Sequence, residues 1–233
     1  MAAPELMPPR GISTQNFEPV RFDAEAVERG GRVGSVSLGW PLWTAQWTLS
    51  RNITPDMSDE WRAWLLRRRG AQRPFLAMDR ERLYPKAYRS GFAGLVIAGT
   101  ATGFAGHLAS WSQAIDGDGN AALTLTGLPA NFPFTLGDYI GFRWDAAGSA
   151  IGSFDRRSIV RAVGSVNANG AGVAVVSVEP PVNIQVVPNY AIAYLNEPSC
   201  RMRILSGETQ LAPLDRRLKV AGGTITAIED LRP

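Results

Sequence analysis

Cysteine and histidine are almost missing from this sequence: its 233 residues include one of each, Cys200 and His107. A single cysteine excludes an intramolecular disulfide framework and a cysteine-based zinc cluster, and reads as a small apolar side chain near a strand. A single histidine means that any Ser-His-Asp, Cys-His or multi-histidine metal site must pass through His107. No serine in a G-x-S-x-G elbow stands near it, and it lies in a Gly- and Ala-rich connection, so a hydrolase is the least supported of three functional readings. Long apolar runs are missing too, none approaching the roughly 18 residues that span a bilayer. Residues 1–11, with Pro4, Glu5, Pro8 and Pro9, lack a signal-peptide core. The expectation is a protein made in the cytoplasm that stays soluble, spans no membrane and carries no catalytic residues, metal or cofactor.

Acidic charge is scarce in one stretch. The whole chain has 24 Lys and Arg against 21 Asp and Glu, a net +3. Between Arg62 and Arg89, however, nine basic residues face only Asp79 and Glu81. No aromatic-interleaved motif accompanies them, so the segment is expected to be a solvated or inter-subunit face, and nucleic acid is not an expected partner. What is present is 45% hydrophobic residues, with 24 Gly and 16 Pro spread between short β-branched runs. That distribution predicts many turns and short strands, hence a mainly β protein. A change of composition near residue 90 favours two domains.

The clearest local signals run from Leu42 to Met78. Leu42, Trp43, Ala45, Trp47 and Leu49 are interleaved with Thr44, Gln46, Thr48 and Ser50, the period-two pattern of a half-buried strand. Thr54-Pro55 then supplies an N-cap and a proline at the first helical position, and Met57, Trp61, Trp64 and Leu65 recur at helical spacing. The helix is predicted to stop at Gly70, with Arg67, Arg68 and Arg69 in its last turn. Pro74 to Met78 restarts the chain as a strand.

Around this unit the signals are more dispersed. Residues 1–32 show little periodicity and read as an N-terminal arm, or a strand plus a loop, ordered by something else. Gly34 to Leu38 starts a first strand. Gly91 to Gly106 reads as a crossing connection, with Leu95, Val96 and Ile97 its one strand signal. Five strands are predicted after it: Leu123–Thr126, Tyr139–Phe142, Ile159–Val163, Val173–Val178 and Tyr190–Leu195, with a hairpin loop at Asn167–Gly172. Five short strands suit a small, partly open, OB-like barrel. Arg201–Ile204 and Gly222–Leu231 alternate again, with Pro213, Arg216 and Arg217 between them, and the last strand is expected to close the N-terminal sheet. The predicted organisation is residues 1–32 as the arm, 33–90 with 201–233 as one domain, and 91–200 as an insertion.

Two constellations are candidates for binding. Asp116, Asp118 and Asn120 place oxygens at alternate positions, the start of an EF-hand calcium loop, but position twelve is Gly127 instead of glutamate and a strand follows where a helix should. A tight turn is the simpler reading. Trp40, Trp43, Trp47, Trp61 and Trp64 could stack sugars, yet Trp43 and Trp47 share strand parity and Trp61 and Trp64 share a helix face, which points to a core. Trp40 and Trp111 remain as candidate ligand-stacking residues.

The C-terminal half runs Leu123-Thr-Leu-Thr-Gly-Leu-Pro, Leu136-Gly-Asp-Tyr-Ile, Arg161-Ala-Val, Asn169-Gly-Ala-Gly-Val-Ala and Val178-Glu-Pro-Pro. This series resembles a pattern in the inserted β-barrel of minor tail proteins of long-tailed bacteriophages. Leu42-Trp-Thr-Ala-Gln-Trp-Thr-Leu, followed by a helix and Arg73-Pro-Phe-Leu, is similar to their tail-tube-like domain. The resemblance implies a distal tail or baseplate protein: a tail-tube-like β-sandwich with one flanking α-helix plus an inserted small OB-like β-barrel. It further implies a non-enzymatic ring, a hexamer, in the virion tail tip. One face would meet the tail tube protein and the other the baseplate hub, with tail fibres or a host surface glycan as further partners. The alternative is a carbohydrate-binding module using Trp40 or Trp111.

Overall fold

The computed structural model describes residues 5–27, 29–31, 33–50, 53–148, 150–211 and 222–231. The chain starts with β1 (Glu5–Leu6), β2 (Ile12–Val20), β3 (Asp23–Val27), β4 (Val33–Ser37) and β5 (Leu42–Leu49), followed by α1 (Pro55–Arg68) and β6 (Phe75–Met78). Next come β7 (Ser110–Ile115), β8 (Ala121–Thr126), β9 (Pro133–Phe134), β10 (Tyr139–Trp144), β11 (Arg156–Ala162), β12 (Val166–Asn167), β13 (Ala174–Glu179) and β14 (Ile192–Tyr194). It ends with β15 (Ser199–Ile204), β16 (Gln210–Leu211) and β17 (Gly223–Glu229). The described residues are mainly β with one α-helix. Two compact units divide it, one of Leu6–Phe75 with Met202–Asp230, the other chiefly Leu76–Arg201. The compact units divide at 75/76 and 201/202, within β6 and β15, beside the sequence-based boundaries at 90/91, which follow a composition shift, and 200/201.

In the first unit, alternation decides which face is buried. Trp43, Ala45, Trp47 and Leu49 of β5 are buried, while Thr44 and Thr48 are partly exposed and Gln46 is open to solvent. Thr54 Oγ1 accepts the Met57 N–H at 3.3 Å and caps α1, with Pro55 just inside. The helix ends at Arg68, two residues before the predicted glycine. Arg69 takes the left-handed conformation (φ 51°) and its N–H bonds the Leu66 carbonyl, while Gly70 opens a 3₁₀ turn. Trp61 and Trp64 face inward, their rings 5.6 Å apart, and Trp64 meets Phe75 edge-on at 4.9 Å. Each buries about 200 Å², a gross gain of about 5 kcal/mol at about 25 cal/mol/Å². Their indole N–H groups donate to the carbonyls of Arg10 (2.8 Å) and Leu6 (3.1 Å), so the helix holds the first residues of the chain in place.

Within residues 1–32, read as an arm or as a strand plus a loop, β2 is a strand of the first unit's sheet. β2 pairs antiparallel with β5 along its length, from Ile12↔Leu49 to Val20↔Leu42. On the other side of β5 lies β17, with Ile225 opposite Trp47 and Ala227 opposite Ala45. The last strand thus joins the N-terminal sheet, whose order is β1-β6-β15-β17-β5-β2, with β16 also on β17. The Trp43 N–H donates to buried Glu229 Oε2 at 3.1 Å. Arg203 Nε meets Asp230 Oδ2 at 2.5 Å and its Nη1 reaches the Ala71 and Gln72 carbonyls. The polar stretch with Pro213, Arg216 and Arg217 lies outside the described residues.

The second unit holds a six-stranded antiparallel sheet, ordered β14-β10-β11-β13-β8-β7. It contains the five predicted strands and β7. The Leu95–Ile97 signal yields only an isolated bridge, Val96 to Gly103. Leu123 and Leu125 of β8 and Val176 and Val178 of β13 alternate into a core with Phe132 and Phe142. The described strands close no barrel. The ends of the sheet are nevertheless linked by backbone bonds from Leu108 N–H to Ala193 O (3.0 Å) and from Leu195 N–H to Gly106 O (2.7 Å).

Removing Trp64, which is 1% exposed, is expected to cost about 3–5 kcal/mol as Trp64→Ala. Trp40→Ala, at a surface position, is expected to cost under about 0.5 kcal/mol. Urea denaturation followed by circular dichroism measures both.

Candidate functional site

The structure separates the sequence candidates. Trp43, Trp47, Trp61 and Trp64 are core residues, at most 1% exposed, and present no stacking platform. Trp111 is half-buried in the second unit: its indole N–H donates to Ala191 O at 2.8 Å and its ring lies 4.7 Å from Phe142. Trp40 is the more open of the two proposed stacking residues.

Asp116, Asp118 and Asn120 form the turn between β7 and β8. Asp116 Oδ1 accepts the N–H groups of Asp118 (3.0 Å) and Asn120 (2.8 Å), and Oδ2 accepts from Asn120 Nδ2 (2.9 Å). Its carboxylate is therefore occupied by its own turn. Among the described residues no three His, Cys, Asp or Glu converge as metal ligands. Hydrogen bonds from Asn120, ahead of those from Asp118 and Gly119, hold the Asp116 carboxyl below the usual aspartate range.

His107 is exposed, and its Nε2 stands 3.1 Å from Arg143 Nη2. Burial first, and then the Arg143 charge, hold its pKa below the ordinary imidazole value. A general base of the triad kind is oriented by a carboxylate; here the neighbour is a cation. The basic segment is partly spent on structure. Arg68 is 5% exposed and donates to Pro74 O at 3.0 Å, Arg82 donates to Gly137 O at 3.1 Å, and Lys86 Nζ reaches Leu136 O. Buried Tyr139 donates to Asp79 Oδ2 (3.1 Å) and accepts from Arg161 Nη2 (2.9 Å), and burial followed by the Asp79 charge pushes its phenol up.

One surface was not singled out from sequence. Among the described residues β3 and β4 pair only with each other, Asp23↔Ser37 through Val27↔Val33, and all five residues of each strand are exposed. One face carries Ala24, Ala26, Gly34 and Val36, and the tip carries Val27 opposite Val33. Val27 is 78% exposed, Val33 64%, Val36 66%, and Leu38 beyond β4 71%. Val27 and Val33 share the other face with Asp23, Glu25, Ser35 and Ser37, and Phe22 and Trp40 at the base of the hairpin are exposed as well. The available signal was Gly30-Gly31 between valines; it is masked by Asp23, Ala24, Glu25 and Ala26, residues of low β-propensity. β2, which leads into this hairpin, is the terminal strand of its sheet and carries Pro19, a residue suited to an edge.

No protein-family model and no curated protein matches this chain. Among the described residues no helix is long and apolar enough to cross a membrane.

Calcium at 10 mM is expected to leave the thermal midpoint unchanged. The Asp116 carboxyl, followed by NMR, is expected to titrate below the roughly 3.9 of an unperturbed aspartate. Because the folded pKa is lowered, its stabilising contribution is complete above the unfolded value and is lost as pH falls through the folded one. Asp116→Asn should remove that acid-side loss.

Proposed function

We propose that this chain is a structural, non-enzymatic ring subunit of a bacteriophage tail tip, of the distal tail or baseplate kind. In this reading the first unit is a tail-tube-like β-sandwich flanked by α1, and the inserted sheet is a small, partly open barrel of the OB-like type. The ring is a hexamer between the tail tube protein and the hub, and the insertion serves tail fibres or a host surface glycan.

The observation that carries the reading is the β3–β4 hairpin. Two strands without a third are marginal in water, and this pair leaves Val36 open on one face beside Ala24, Ala26 and Gly34, and Val27 and Val33 open on the other. The occupant we assign to it is a second copy of this chain. One head-to-tail contact, repeated until the rotation closes, covers every hairpin in a ring and leaves none over. The position of β2 at the end of its sheet supports the same arrangement, since another copy's strand can add there.

A carbohydrate-binding function is the second reading, favoured by one feature of the second unit. Tyr84, Phe92 and Phe104 wall a hollow of about 480 Å³ that Asn196 also lines. Asn196 Oδ1 is buried with no hydrogen-bond partner among the described residues, an acceptor that a sugar hydroxyl would satisfy.

Light scattering on the full chain is expected to give a closed oligomer. Val27→Glu with Val36→Glu should reduce it to monomer with the circular dichroism unchanged, and labelled particles should carry the chain at the tail tip. A wild-type monomer at high concentration, with no label on tails, sinks the ring. Glycan binding that is abolished by Asn196→Ala or Trp40→Ala favours the second reading.

A further inference from the structure

Arg143 and Arg157 are direct cross-strand partners in β10 and β11. Directly opposed residues point to the same face, and like charges there destabilise a strand pair. Two other buried or half-buried arginines meet carboxylates: Arg203 meets Asp230, and Arg156 meets Asp155. Among the described residues neither Arg143 nor Arg157 contacts a carboxylate. Arg157 donates to Phe154 O and Ser199 Oγ. Arg143 has His107 beside it, and its Nε is buried without a partner.

The surroundings hold these cations in place instead of neutralising them. The Arg143 guanidinium lies 4.3 Å from the Phe154 ring centre and 5.3 Å from that of Tyr194, and Arg157 lies 5.8 Å from Tyr194. Tyr194 sits directly over Gly141, where a Cβ would come within 2.6 Å of the ring. Phe154 has a left-handed backbone (φ 44°), costly for an aromatic residue. Its loop is braced by Asp145, whose carboxylate accepts from the N–H groups of Gly152 and Phe154 and from Ser153 Oγ. Strain, a missing Cβ and a spent carboxylate together fix two like-charged forks side by side.

We propose that this face of β10, β11 and β14 binds a tetrahedral oxyanion of the phosphate or sulfate class between Arg143 and Arg157, beside His107, whose Nε2 accepts from Arg143 Nη2. The planar guanidinium fork matches such oxygens, and an anion there converts the cross-strand repulsion into two attractive contacts. The site does not depend on the ring or on the hollow lined by Asn196.

His107 is the chain's single histidine, so its imidazole proton resonance reports the site in the unmodified protein. Sodium phosphate, added to the full chain at constant ionic strength against chloride, is expected to move that resonance saturably and to raise the thermal midpoint, with a Kd in the millimolar range or tighter. Arg143→Gln and Arg157→Gln should each weaken phosphate binding at least tenfold, while in chloride alone Arg143→Gln keeps or raises the midpoint because a repulsion is gone. Arg62→Gln is the control and should bind as the parent does. Glycerol phosphate and a sulfated disaccharide distinguish the source: tenfold tighter binding than inorganic phosphate assigns a ligand-borne group, equal binding a free ion. An unmoved His107 resonance, or phosphate binding unchanged in both arginine variants, overturns the site.

Discussion

β17 lies beside β5 although Trp43 and Glu229, joined by a backbone-to-carboxylate hydrogen bond, are 186 positions apart. Six residue pairs, Gly223↔Leu49 to Ile228↔Thr44, make this junction. Until they form, β5 has β2 on one side and open main-chain groups on the other, and the buried face carrying Trp43 and Trp47 has an incomplete sheet behind it. Closing so long a loop is tolerable because the entropic cost of closure grows only slowly with length, and because the intervening chain folds on a core of its own. The small pair Ala45↔Ala227 stands on the buried face of β5 between Trp43 and Trp47.

Polar satisfaction extends the same order outward. The indoles of Trp61 and Trp64 need acceptors once buried, and they find the carbonyls of Arg10 and Leu6. Arg203 gathers Asp230 and two carbonyls after the helix, so the turn at Gly70–Gln72 is held by the returning chain. Arg68 and Arg82, which help make the 62–89 segment look like an exposed basic face, are likewise tied to backbone carbonyls of the framework.

Two features stand outside this economy of satisfied groups. The β3–β4 hairpin exposes apolar side chains that nothing in the described chain covers, and Arg143 and Arg157 are steadied without being neutralised. Each is a local cost, and each makes sense if its complement arrives from outside: a second subunit for the hairpin, an oxyanion for the arginines.

Much of the fold was legible in advance where local chemistry acts alone. The period-two run at Leu42–Leu49, the Thr54-Pro55 start of α1 and the strands from Ala121 onward follow from side-chain alternation and capping, which need no distant partner. Trp43, Trp47, Trp61 and Trp64 were assignable to a core by parity, and Asp116–Asn120 to a turn by the missing glutamate. The hairpin was not legible, because β3 is written in residues of low strand propensity, and neither was the arginine pair, because Arg143 and Arg157 become neighbours only through the β10–β11 register. By itself the sequence determined the elements and their buried faces, since both depend on spacing along the chain. Tertiary structure alone decided which strands became neighbours, and with them which charges and apolar faces were left without a partner, because pairing across 186 residues is set by global packing and not by any local pattern.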